Sequence, residues 1–192
     1  MSGDNNDTLL GGSGNNQLGG GPGNDELFGL KGNDQLYGNS GNDTLRGGDG
    51  DDLLVGDSGN DSLLGESGDD LLVGVDRFAQ NAGQGEIDML TGSAGRDRFV
   101  LGTNNQVFYD DRPLANPETD GYARITDFTS DHDIIWLAQG FNYSLGSSPI
   151  ESLSGTGIFV ENQSGANELI GIVQDVEPQS LALDNSSQFI YV

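Results

Sequence analysis

Asp7, Asp25, Asp34, Asp43, Asp52, Asp61, Asp70, Asp88 and Asp97 are separated by multiples of nine residues. Seven of these nine have a glycine two positions upstream; Asn5 and Glu86 replace it before Asp7 and Asp88. Carboxylates set in glycine turns, whose main-chain carbonyls are free to converge, form a hard, oxygen-only ligand set. Ca²⁺ suits such a set, because it accepts about six to eight oxygens at ~2.3–2.6 Å in flexible geometry. Mg²⁺ fits less well, since it demands a strict octahedron and keeps its waters. Carboxylates repeated side by side serve as ligands rather than as an acid and a base with separated pKa values.

The aspartates belong to a nine-residue phrase repeated eight times in frame, from Ser2 to Val73. Its eighth position is always leucine: Leu9, Leu18, Leu27, Leu36, Leu45, Leu54, Leu63 and Leu72. A fixed period of this kind decides the architecture before local propensity does. Glycines at positions one and four permit a tight turn over the first six residues. The last three predict a short strand with leucine pointing inward. Two phrases then close one coil. Stacked coils place leucine over leucine at ~4.8 Å and each aspartate beside the one two phrases later. The buried leucines alone cannot offset the entropy of ordering so long a chain, and the acid columns repel each other. A cation between the coils supplies what is missing.

The phrase resembles the RTX nonapeptide, Gly-Gly-x-Gly-x-Asp-x-(large apolar)-x, whose repeats bind Ca²⁺. The resemblance covers residues 2–73, and residues 83–100 after a break. It implies a right-handed parallel β-roll with Ca²⁺ between successive turns on both edges. One edge would use Asp7, Asp25, Asp43 and Asp61, and the other Asp34, Asp52 and Asp70. Asn16 offers a neutral carbonyl in the corresponding slot. Asp88 and Asp97 would extend the ligand set, with carbonyls of Gly38, Gly41, Gly47, Gly50, Gly56 and Gly59. Residues 74–82 hold the frame but have Ala79 and Asn81 where Asp and Leu belong, which predicts an inserted loop. Glu86 could add a carboxylate to a last site.

The 192-residue chain carries 31 acidic and 7 basic residues, a net charge of -24. So acidic a surface argues against nucleic acid and anionic membrane as partners. The absence of cysteine excludes a disulfide framework and a thiol nucleophile. The first residues, Met-Ser-Gly-Asp, have neither the basic region nor the apolar core of a secretory signal peptide. No apolar run approaches the ~20 residues of a membrane span.

Beyond Leu101 the period ends. Residues 103–121 read as loop, with Asp110, Asp111, Pro113, Pro117 and Gly121 as breakers. Short strands are expected at 122–128, 133–138, 157–161, 168–174 and 188–192, with a hairpin connection over 162–167. Residues 103–192 therefore read as a β-rich, sandwich-like cap on a roll spanning 1–102. Asp127, Asp131 and Asp133 are either turn formers or further calcium ligands. The single histidine, His132, cannot form a histidine-rich zinc site. Among the catalytic signatures, no Gly-x-Ser-x-Gly, His-Glu-x-x-His or P-loop occurs. The expectation is a non-enzymatic, all-β, secreted calcium module. The segment 122–137 is similar to stretches that follow RTX arrays in exported bacterial proteins, and Asp184–Val192 to uncleaved type I secretion signals. The resemblance thus implies the type I secretion machinery as a partner. An extracellular adhesive role, with the C-terminal module binding glycan or a surface partner, is the alternative.

Overall fold

A computed structural model describes residues 3–79, 82–104, 106–109, 121–161 and 167–192. The repeats lay down eight strands, β1 (Thr8–Gly12), β2 (Gln17–Pro22), β3 (Glu26–Lys31), β4 (Gln35–Ser40), β5 (Thr44–Asp49), β6 (Leu53–Ser58), β7 (Ser62–Ser67) and β8 (Leu71–Val75). Odd strands pair in parallel with odd strands, and even with even. The register is eighteen residues, so Leu27 lies beside Leu45 and Leu45 beside Leu63. Leu36, Leu54 and Leu72 form the same column on the opposite sheet. All six are fully buried, and they form the seam between the two sheets.

The strands are twice the expected length. β2 to β7 each run from position seven through position three of the next phrase, and β1 and β8 end one residue earlier, so the first glycine lies in a strand. The position-one glycine does not supply turn freedom; it leaves room for a carboxylate. The fourth glycine is the turn residue, with positive φ at Gly23, Gly32, Gly41, Gly50, Gly59 and Gly68. It also stacks tightly: a Cβ on Gly59 would overlap the carbonyl of Gly41 one coil below.

The inserted phrase appears as a longer connection between β8 and β9 (Ile87–Ala94), which pairs with β7 at a shift of twenty-seven residues, as in Leu63 beside Leu90. β10 (Arg98–Val100) follows on the other sheet, with Phe99 between Leu72 and Ile135. A small hairpin, β11 (Gly102–Thr103) and β12 (Gln106–Val107), comes next.

The C-terminal segment does not sit apart from the roll. β13 (Tyr122–Ile125) and β14 (Ile134–Leu137) add in parallel to β9 and β10. The antiparallel strands β15 (Tyr143–Ser147), β16 (Gly155–Glu161) and β17 (Asn167–Gln174) complete one nine-stranded sheet, with β17 beside β13. β18 (Phe189–Tyr191) completes the seven-stranded partner. One continuous core runs from Leu27 through Phe99, Phe108, Tyr109, Phe128 and Ile135 to Phe189. The expected hairpin is present as the β16–β17 pair; residues 162–166 of its connection, and 110–120 of the long loop, lie outside the described residues.

Candidate metal centre

The turn preceding each repeat strand carries its aspartate, or Asn16 before β2, inward. On the first edge stand Asp7, Asp25, Asp43, Asp61 and Asp88; on the second, Asn16, Asp34, Asp52, Asp70, Asp97 and Asp133. Within each edge the side chains form a ladder. The Asp25 N–H donates to Asp43 Oδ1 at 2.7 Å and the Asp43 N–H to Asp61 Oδ1 at 2.7 Å. On the second edge the Asp34 N–H donates to Asp52 Oδ1 at 2.7 Å and the Asp52 N–H to Asp70 Oδ1 at 2.8 Å. Across the insertion the ladders continue from Asp61 to Asp88 (2.8 Å) and from Asp70 to Asp97 (3.0 Å).

One oxygen of each carboxylate is thereby fixed, and the other defines the site. The Oδ2 atoms of Asp25, Asp34, Asp43, Asp52, Asp61, Asp70 and Asp97 are buried with no hydrogen-bond partner. An unpaired buried charged oxygen is among the costlier features a fold can carry, and seven in register are not accidental. Each points where a position-one glycine leaves space. A Cβ on Gly38 would overlap Asp43 Oδ2 and crowd the carbonyl oxygen of Gly56, one coil on. The same pairing recurs for Asp25 with the Gly38 carbonyl, Asp34 with Gly47, Asp52 with Gly65, Asp61 with Gly74 and Asp70 with Gly92. Carboxylate and carbonyl oxygens thus face one cradle with no donor between them, which fits a hard cation. No three acidic side chains converge anywhere among the described residues, so the main chain must contribute to any such site.

Five of the six glycines expected to bind through their carbonyls divide into two groups. The carbonyls of Gly38, Gly47 and Gly56 lie at the carboxylates. Those of Gly41 and Gly50 lie where a Cβ on Gly59 or Gly68 would sit, in the tight fourth-position column.

Burial is the largest influence on the carboxylates. It raises Asp61 to about 8, Asp70 to about 7, and Asp52 and Asp97 to about 6; an accepted main-chain N–H opposes it, and neighbouring carboxylates add to it. Asp43 is raised for the same reasons. Without a cation Asp43, Asp52, Asp61, Asp70 and Asp97 resist ionisation.

The ends of the ladders differ from their middles. Asp7 Oδ2 accepts the Gly3 N–H (3.2 Å), and Asn16 Oδ1 accepts the Gly12 N–H (2.7 Å). Asp88 Oδ2 accepts the Tyr109 hydroxyl at 2.6 Å. Asp133 continues the second ladder by accepting the Asp97 N–H, and its Oδ2 is closed by the Thr129 N–H and hydroxyl. Asp127 accepts the N–H groups of Gly92 and Ser93, while Asp131 and His132 are exposed. Glu86 Oε1 takes the Gly59 N–H, restoring an acceptor displaced by the insertion.

A second ladder, absent from the sequence reading, runs along the turn exterior at the fifth position. On the first edge it is all asparagine: Asn24 and Asn42 donate their N–H groups to Asn6 and Asn24 Oδ1, each at 2.8 Å. On the second it changes from Asn15 and Asn33 to Asp51 and Asp69, and ends on Arg96, which holds Asp69 at 2.7 Å and keeps its carboxyl below the usual range.

Two sheets of alternating parallel strands, joined by turns lined with inward acids, define a β-roll with cation-binding edges. The RTX calcium-binding nonapeptide repeat matches residues 1–36, 19–54 and 37–72, and the chain carries a repeat array of this hemolysin-type calcium-binding family. No curated protein matches the chain. Among solved structures it is similar to the AlgE6R3 subunit of the Azotobacter vinelandii mannuronan C5-epimerase. That match has 23% identity and a TM-score of 0.34, and covers 100% of this chain and 81% of the other. No helix among the described residues is long and apolar enough to cross a membrane.

Proposed function

We propose that the chain is a calcium-responsive folding module. It is loosely structured where calcium is scarce, passes outward through a type I secretion channel, and folds once calcium loads its edges. The seven unpartnered Oδ2 atoms carry this reading. One ion at each gives these buried oxygens a partner, and binding coupled to folding stabilises by mass action. Extracellular modules of this kind work at roughly 10⁻⁴–10⁻³ M calcium. Asp25, Asp43 and Asp61 hold three ions on the first edge, and Asp34, Asp52, Asp70 and Asp97 hold four on the second. No catalytic step is assigned to the module.

Circular dichroism in chelator and in millimolar calcium tests the reading. The β signal should be lost in chelator at neutral pH and return cooperatively with calcium. A signal indifferent to chelation sinks the idea.

A second reading gives the folded protein an adhesive role. On the C-terminal module Phe141, Tyr143 and Tyr191 line an open cleft with Asn142, Glu161 and Asp184. Two tyrosine rings 6.1 Å apart beside polar side chains suit the flat face and hydroxyls of a sugar. Glycan-array binding that survives in Tyr191→Ala would remove this cleft from consideration.

A further inference from the structure

We propose that the Tyr109 hydroxyl takes the place of an ion at the end of the first edge, so that Asp88 is held by a phenol and not by calcium. The inference rests on the calcium reading above and concerns where the series of ions stops.

On both edges, from Gly20 to Gly65, the space beside a position-one glycine is shared by its own phrase's carboxylate oxygen and the carbonyl of the next coil. At Gly74 the pattern changes. There the neighbours are Asp88 Oδ2 and the hydroxyl oxygen of Tyr109. The phenol occupies the place of the next coil's carbonyl, and unlike a carbonyl it donates a proton. The next coil could not have continued the ladder, because Ala123 is the residue in register with Asp88. Asp88 Oδ1 already accepts the Asp61 N–H; its Oδ2, with no next-coil carbonyl beside it to share an ion, is the buried oxygen that the hydroxyl donor satisfies.

The break in the repeats exists around this residue. Tyr109 is fully buried. Its N–H donates to Ala82 O at 2.8 Å, and Gln106 Nε2 donates to Ala79 O at 2.7 Å, so the hairpin of β11 and β12 is tied to the inserted phrase. A Cβ on Gly83 would collide with the Tyr109 ring, so the phrase that resumes after the insertion opens with a glycine where the ring must lie. Tyr109 itself sits at φ 59, a conformation bulky residues adopt only when the surroundings impose it. An insertion of one whole phrase, a hairpin and a constrained backbone together deliver one hydroxyl to one carboxylate.

Isothermal titration calorimetry with calcium on the full chain provides the test, using Asp88→Asn and Asp61→Asn. The amide that replaces the Asp88 carboxylate can donate to the Tyr109 oxygen, so this variant should bind as many ions as the parent. Asp61→Asn should bind one fewer. In the parent at saturating calcium, the Tyr109 hydroxyl proton should appear by NMR in slow exchange, and Tyr109→Phe should remove it. If Asp88→Asn lowers the ion count by one, or calcium abolishes the hydroxyl resonance, the assignment is overturned. A parent that binds no calcium overturns the underlying reading instead.

Discussion

The two edges of the roll are built from the same phrase and finished differently. The first begins at Asp7, has a neutral asparagine exterior, and stops at Asp88 under Tyr109. The second begins at Asn16, acquires Asp51 and Asp69 on its exterior, and runs one rung further to Asp133 under Thr129. The interior is therefore interchangeable, while the ends and the outer face set how many ions each edge holds and how strongly it attracts them. Periodic chemistry determines the site, and non-periodic residues determine its extent.

The largest effect should come from filling a cradle. Gly56→Ala on the first edge places a methyl group on Asp61 Oδ2 and the Gly74 carbonyl; Gly47→Ala on the second does the same at Asp52 and Gly65. Each should lose one ion by calorimetry and about 1–3 kcal/mol or more in calcium-loaded stability by denaturant titration. Equal losses on the two edges would support interchangeable interiors.

Removing a charge should cost less. Asp61→Asn and Asp70→Asn leave the ladder bond to the preceding N–H possible but neutralise the ligand. Each should raise the calcium midpoint of folding on the order of tenfold, read by circular dichroism.

Acid should partly substitute for calcium. The folded-state values of about 6 to 8 at Asp52, Asp97, Asp70 and Asp61 lie above the ~3.9 of an unfolded aspartate. The folded chain then binds more protons than the unfolded one, so stability falls as pH rises. In chelator, the β signal should be strongest near pH 4 and decline through about pH 6–8. With calcium present the dependence reverses, because ligation requires the ionised form, and the calcium midpoint should rise on acidification below about pH 6.

The smallest effect should distinguish the outer faces. Asp51→Asn removes an exposed charge from the second edge, and should weaken calcium binding less than about twofold at 0.15 M salt and more at low salt. Asn42→Asp on the first edge should do the opposite.

Much of this was written in the sequence. An unbroken leucine column, an aspartate in every complete phrase but one and a nine-residue insertion specify two sheets, an eighteen-residue register and paired acid ladders. Strand length was misjudged because glycine at position one reads locally as a turn former. Its real constraint is the carboxylate oxygen lying where its side chain would be, a contact made across five residues in a folded coil. Tyr109 and Thr129 gave no signal. Tyr109 lies twenty-one residues from Asp88 in a stretch with no period, and only the fold brings them together. Asp133 could be suspected from its acidic surroundings, but its ladder position depends on β14 joining β10. β15 went unseen because its side chains are only half-buried and show no alternation.

Gly41 packed on Gly59, and Gly50 on Gly68, leave no slack between coils. Length can therefore change only by whole phrases, as the connection after β8 shows. Both hydroxyl stoppers sit at the far end from β1 and β2. Among the described residues, the near end carries main-chain donors from Gly3 and Gly12, which any further coil would bring with it. A chain of this design can gain or shed pairs of phrases at its beginning, changing its ion capacity by two each time, while the machinery that ends the series stays untouched.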